Sequence, residues 1–138
     1  MEKPEIICMC GSTRFGDLMS IASWELEKLG KIVLRVNYLP QWYGEFKGYN
    51  ENAHYADQEG LKEKLDELHF KKIDMCDRVY VCNYHGYVGE STRNEINYAE
   101  SVGKPITYLV EDKNEISNVM WNIIDWAEAK ADICRAPA

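Results

Sequence analysis

Two short stretches of this chain combine residue types that could do chemistry. The first, Cys10-Gly-Ser-Thr-Arg-Phe15, follows an apolar run and precedes a helical pattern. A glycine leaving a strand, then two hydroxyls and a helix start, offers backbone N–H groups and the positive end of a helix dipole to an anion. Arg14 could add a bidentate contact to phosphate. The same residues have a plainer use, because Ser12 or Thr13 could simply cap the helix. The stretch is neither a Walker loop nor a Gly-x-Gly-x-x-Gly fingerprint. The second stretch, Gly86-Tyr-Val-Gly-Glu-Ser-Thr-Arg-Asn-Glu95, is a glycine-containing turn running into a helix. Thr92-x-x-Glu95 fits a capping box, with Glu95 reaching back to the cap. A helix equally puts Glu95 on the face of Ala99 and Val102, where a carboxylate would overhang the carboxyl edge of a sheet. Spacing leaves both uses of Glu95 open. Glu90, in the loop just before, is expected to be solvated.

The other residues able to bind metals show no such pattern. His54, His69 and His85 have no ligand spacing with Cys8, Cys10, Cys76, Cys82 and Cys134, so neither a metal nor a cofactor is expected. Cys8, Cys10 and Cys82 lie in runs that read as buried strands, where a reduced thiol packs as a small apolar group. Sixteen Lys and Arg against 23 Asp and Glu give a formal charge of −7, which argues against a nucleic-acid polymer or an anionic membrane as partner. A small phosphorylated ligand needs only a few local donors and is not excluded. The opening Met1-Glu-Lys-Pro-Glu5 lacks the apolar core of a signal peptide. No run approaches the roughly 18 apolar residues of a membrane span. A cytoplasmic protein is therefore expected.

The elements that must position the two turns follow from periodicity. Glu5–Cys10 reads as a strand, and Phe15, Leu18, Met19, Ala22, Leu26 and Leu29 as one helix face closed by Gly30. Lys31–Val36 is a second strand. Asn37–Asp57 shows no period and carries Trp42, Tyr43, Phe46, Tyr49 and Tyr55, a long connection of the kind that is usually functional or mobile. Leu61, Leu65, Leu68, Lys72, Ile73 and Cys76 mark a second helix, on which His69 reads as a core residue between Leu65 and Ile73. Arg78–Asn83 is a third strand. A helix from about Thr92 to Val102 follows, then a fourth strand over Ile106–Val110 and a last helix through Ile116, Val119, Ile123 and Ala127. This alternation predicts one domain over residues 1–138, an α/β doubly wound, Rossmann-like parallel sheet of four or five strands with helices on both faces. In such sheets the ligand crevice lies outside the carboxyl ends of the strands. The candidate binding residues are thus Gly11, Ser12, Thr13 and Arg14 in one turn and Asn83, Gly89, Ser91 and Thr92 in the other.

Taken in order, these pieces resemble a known superfamily. Ile7-Cys-Met-Cys-Gly-Ser-Thr-Arg-Phe15 looks like the opening strand and loop of the nucleoside 2-deoxyribosyltransferase-like superfamily. Asp77-Arg-Val-Tyr-Val-Cys-Asn83, Gly89-Glu-Ser-Thr-Arg-Asn-Glu-Ile-Asn-Tyr-Ala99 and Gly103-Lys-Pro-Ile106 resemble its second half. The resemblance covers roughly residues 5–30 and 69–110 and leaves out the aromatic loop. It implies cleavage of the bond between a base and C1′ of its sugar, by transfer to another base or by hydrolysis of a 5′-phosphorylated nucleoside. It puts Glu95 at the position of the nucleophilic glutamate, and Gly11, Ser12, Thr13 and Arg14 where phosphate-directed members hold the 5′-phosphate. A family aspartate that helps position base and nucleophile falls on His69 here, a departure that leaves the general acid unassigned and disfavours ordinary transferase activity. A homodimer is also implied, since related enzymes often complete the site from a neighbouring subunit, and the aromatic loop could serve either that interface or a base.

The expectation carried forward is N-glycosidic cleavage of a nucleotide or nucleoside, hydrolysis before transfer, with Glu95 and His69 as catalytic candidates. The competing expectation is a nucleotide-binding or sensing domain without catalysis, with Glu95 a helix cap.

Overall fold

Alternation along the first strand decides where the two halves of the core go. The structure is a computed structural model and describes residues 2–50, 58–113 and 115–130. In β1 (Ile6–Gly11), Ile7 and Met9 point to one face of the sheet while Cys8 and Cys10 point to the other. The remaining strands are β2 (Ile32–Leu34), β3 (Arg78–Cys82) and β4 (Ile106–Tyr108). They pair in the order β2-β1-β3-β4, every pairing parallel. Five helices are described: α1 (Gly16–Lys28), α2 (Gln41–Lys47), α3 (Lys62–Met75), α4 (Glu90–Ser101) and α5 (Ser117–Ala129). The doubly wound α/β fold expected from the alternation is the one found.

One core packs Ile7, Met9 and Tyr80 against Phe15, Leu18, Met19 and Leu26 of the first crossover and Met120 and Ile124 of α5. The other packs Cys8, Cys10, Val79 and Val81 against Ile73 of α3 and Ile96 and Ala99 of α4. Burying both sheet faces is what a parallel sheet requires. The chain winds from β1 to β2 on one side, then crosses to β3 on the other. The strand order therefore reverses between β1 and β3, where Gly11 lies in register with Cys82. Both turns singled out in the sequence leave the sheet at that switch point.

At the opposite edge, polar residues lock the strands together. Asp77 Oδ2 accepts the Ile6 N–H at 2.8 Å. Arg78 makes forked contacts to Glu5 and Glu115 and donates to Thr107 Oγ1. Lys104 donates to the carbonyls of Asp74 and Cys76 and so satisfies the C-terminal end of α3.

Four local expectations change. The connection after β2 holds α2, entered at Pro40 and closed by Gly48 with φ 73°. Trp42, Tyr43 and Phe46 lie on that helix, whereas residues 51–57, Tyr55 included, fall outside the described residues. The leucines of α3 do not form its inner face: Leu61, Leu65 and Leu68 are exposed, and His69 and Ile73 are buried. Helix α4 starts at Glu90, two residues earlier than the Thr-x-x-Glu signal suggests. The buried stripe of the last helix is Ile116, Met120 and Ile124, with Val119 exposed. No helix among the described residues is long and apolar enough to cross a membrane.

Candidate functional site

The early start of α4 changes what Glu95 can be. Gly89, in extended backbone (φ −78°, ψ 177°), is the N-cap, and its carbonyl accepts the Arg93 N–H at 2.9 Å. Glu90 is then the exposed first helical residue rather than a loop residue, and Thr92 is a buried third one. Glu95 sits in the second turn, where no free backbone N–H awaits a cap. The capping-box reading of Glu95 is therefore wrong. Its pattern is present in sequence, but a bare glycine caps the helix three residues before the threonine.

Glu95 instead turns towards the sheet. Its Oε2 lies 3.2 Å from Nε2 of His69 on α3, with side-chain exposures of 14% and 4%. The same Nε2 lies 3.2 Å from Cys10 Sγ and 3.7 Å from Cys8 Sγ on β1. Cys10 immediately precedes Gly11, so this contact sets Glu95 beside the carboxyl end of the central strand. Nδ1 of His69 has no hydrogen-bond partner among the described residues. The neutral tautomer with its proton on Nε2 therefore fits best, the N–H donating to the carboxylate.

Electrostatics follow from that burial. Desolvation pushes the Glu95 carboxyl up to about 7 from its ordinary 4.5, and His69 pulls it back only in part. Burial acts to lower His69, but the hydrogen bond with Cys8 and the charge of Glu95 prevail and raise it. The hydrogen bond with Cys10 draws the Cys8 thiol down to about 6 against desolvation, and Cys10 is correspondingly raised. A carboxyl titrating near neutrality beside an imidazole is a pattern that functional sites favour.

The first turn has a definite local structure. Ser12 caps a single 3-10 turn over Thr13–Phe15, its Oγ accepting the Arg14 N–H at 3.3 Å. The expected capping use of Ser12 is therefore real, but it serves this short turn and not α1. Gly11 is tightly enclosed, since a Cβ there would meet Met19 Sδ at 2.8 Å and the Cys82 carbonyl oxygen at 3.1 Å. Arg14 is exposed, with its guanidinium 5.2 Å from the centroid of the Tyr87 ring. Tyr87 and Tyr84 in turn pack edge-on against Phe15, joining the two turns through one aromatic cluster. In the second turn Asn83 is buried and its Oδ1 accepts the Val110 N–H at 3.2 Å, bracing β3 against the end of β4. Ser91 is exposed on the first turn of α4, within 3.4 Å of Lys62 Nζ.

Two cysteines join the site without having been singled out for it, and Tyr38, packed on the other face of the sheet, feels its charge. Cys8 and Cys10 read as core packing, and they do pack, but alternation aims both at His69. Tyr38, just past β2, has its ring within 3.3 Å of where a Cβ on Gly16 would stand, and its hydroxyl donates to Met19 Sδ at 3.4 Å. Burial raises its hydroxyl pKa, Arg35 opposes, and Glu95 is among the anionic groups that add to the rise. The period-2 pattern of β1 could have flagged both cysteines as facing one way; nothing in the sequence marks Tyr38. Asp66 and Asp74, which flank the His69 position on α3, are engaged elsewhere. Asp66 pairs with Lys62 at 2.8 Å, and Asp74 accepts from the Tyr98 hydroxyl at 2.6 Å.

Comparison with protein-family models, with curated proteins and with solved structures finds no match for this chain.

Proposed function

We propose that this protein cleaves the N-glycosidic bond of a nucleoside 5′-monophosphate or nucleoside, with water taking the sugar in preference to a second base. The observation that carries the reading is the half-buried Glu95 carboxylate, free of any capping duty and hydrogen-bonded to His69 beside the carboxyl end of β1. Breaking this bond passes through an oxocarbenium-like state, which a carboxylate under C1′ stabilises or captures covalently. His69 holds Oε2 and leaves Oε1 to face the sugar. It is a positioning residue for the nucleophile, because it is buried on the sheet side of Glu95. The departing base must gain a proton, from a nearby acid or from solvent. Gly11, Ser12, Thr13 and Arg14 lie across the switch point, and Arg14 supplies the charge for a 5′-phosphate. Gly89, Ser91 and Thr92 build the helix start that carries Glu95, and Asn83 fixes the strand end beneath it. The resemblance to the deoxyribosyltransferase-like superfamily points the same way.

Cys8, Cys10 and Cys76 are free thiols, which suits a reducing, cytoplasmic compartment. We propose a homodimer, supported by the exposed Trp42 and Phe46 of α2 and Leu65 and Leu68 of α3. Sedimentation equilibrium reads this directly, and a monomer at micromolar concentration overturns it.

The test of function incubates wild type and Glu95→Gln with a panel of nucleosides and nucleoside monophosphates, following free base by chromatography. Wild type is expected to release base, and the variant to fold, bind nucleotide and release at least about 100-fold less, roughly 2.7 kcal/mol of barrier. Glu90→Gln, on an exposed side chain, is expected to act like wild type. Base release that survives in Glu95→Gln removes the nucleophile. A wild type that binds nucleotide but releases nothing points instead to a binding domain.

A further inference from the structure

We propose that Cys8, Cys10 and His69 form a binding site for a thiophilic divalent cation of the zinc type, buried beneath Glu95. The three donor atoms lie within 4.8 Å of one another, and all three residues are buried. The two Sγ–Nε2 separations are 3.7 and 3.2 Å. A tetrahedral zinc with bonds of about 2.3 Å to sulfur and about 2.0 Å to nitrogen sets its sulfur and nitrogen ligands about 3.5 Å apart. Glu95 Oε2, 3.2 Å from the same nitrogen, stands near the roughly 3.3 Å that nitrogen and oxygen ligands keep. It is placed to close the fourth position by a side-chain rotation. Two thiolates, an imidazole and a carboxylate are a donor set of zinc chemistry, and their softness disfavours magnesium or calcium.

The competing fate of two neighbouring thiols is a disulfide, and strand geometry works against it. Same-face positions two apart on a strand stand about 6.6–6.8 Å apart with parallel Cβ vectors, at the outer limit a disulfide spans. A metal ion bridges that gap where an S–S bond would bend the central strand. Binding is balanced by protons: Cys10, and the fraction of Cys8 still protonated, give their thiol protons to solvent, while the imidazole proton moves from Nε2 to Nδ1. The ion reaches the site past Glu95, the most exposed of the four side chains.

A filled site takes His69 Nε2 away from Glu95, so zinc is expected to slow base release and a chelator to restore it. That consequence alone rests on the proposed function; the site itself does not.

The test uses the intact, chelator-stripped protein and the metal alone. Zinc titrated into wild type by calorimetry, in buffers of different ionisation enthalpy, is expected to bind at one equivalent and release about one proton. Cobalt(II) in its place is expected to give thiolate-to-metal charge-transfer absorption. Cys10→Ser and His69→Gln, checked for fold by circular dichroism, are expected to weaken zinc binding at least about 100-fold, beyond the 10–100-fold that loss of an outer partner gives. Wild type that takes up no zinc, or binds it without proton release or the charge-transfer band, overturns the site whether or not the variants fold. Folded variants that bind as tightly as wild type overturn it too. Base release is measured separately, so its absence leaves these outcomes readable.

Discussion

Replacing Glu95 by glutamine should change how stability depends on pH, and the size of the change follows from burial. In the folded protein the carboxyl titrates at about 7 against an ordinary 4.5, desolvation being the main cause. Between those values the folded state keeps a proton that the unfolded state has released. The stabilising contribution is thus complete below 4.5 and is lost as pH rises through 7. With 14% of the side chain exposed, solvent screening takes little from this. The gap is worth about 3 kcal/mol. His69, also raised, acts in the same direction, its contribution present below its ordinary 6.5 and lost as pH rises through the folded value. Part of that rise comes from the Glu95 charge, so the variant loses some of it as well. Glutamine has no charge to bury and can accept the His69 hydrogen bond. Urea denaturation from about pH 4.5 to about pH 8, with chelator present, should therefore show wild type losing about 3 kcal/mol more than Glu95→Gln. Above pH 7 the variant should be the more stable protein. Curves that run parallel within about 0.5 kcal/mol, the limit of ordinary additivity, would refute the buried, raised carboxyl.

Three further outcomes are expected. Arg14→Ala should weaken nucleotide binding about 10- to 150-fold by calorimetry, the worth of one charge-assisted hydrogen bond, and leave nucleoside binding nearly unchanged; equal losses would remove the phosphate assignment. Gly11→Ala should destabilise by about 1–3 kcal/mol in thermal or urea melts, because its Cβ would press on Met19 and the Cys82 carbonyl. The hydrogen bond from Arg78 holds the Glu5 carboxyl below its ordinary 4.5, so that contribution is present above 4.5 and lost as pH falls through the folded value. Arg78→Met should flatten this acid limb of the stability profile, and an unchanged limb would place the acid sensitivity elsewhere.

The alternation of strands and helices was legible because each element buries one face, and period 2 or 3.6 records that directly. Gly11 and Gly30 marked turns that the backbone does make. What the sequence hid has specific causes. Helix α2 has seven residues and exposes Trp42 and Phe46, so it leaves no buried stripe to read. The leucines of α3 imitate an inner face that His69 and Ile73 occupy. The start of α4 is hidden because Thr-x-x-Glu is a strong cap signal, while Gly89 caps through extended backbone and has no side chain to announce it. The meeting of His69 with Cys8 and Cys10 joins residues 61 and 59 positions apart. Periodicity says which way each side chain faces on its own element, but not which levels of a helix and a strand come together.

The flanking strands carry a consequence for how copies of this chain can associate. Among the described residues, β2 and β4 form the two borders of the sheet and are three residues long each. Strands this short are a poor template for an added strand. A continuous sheet running from one molecule into the next is thereby disfavoured, and with it the ladder growth that leads to fibrils. The proposed homodimer would then form through the helical flanks, where Trp42, Phe46, Leu65 and Leu68 stand exposed. Assembly through side chains can be undone by single charged substitutions, whereas a shared backbone ladder could not.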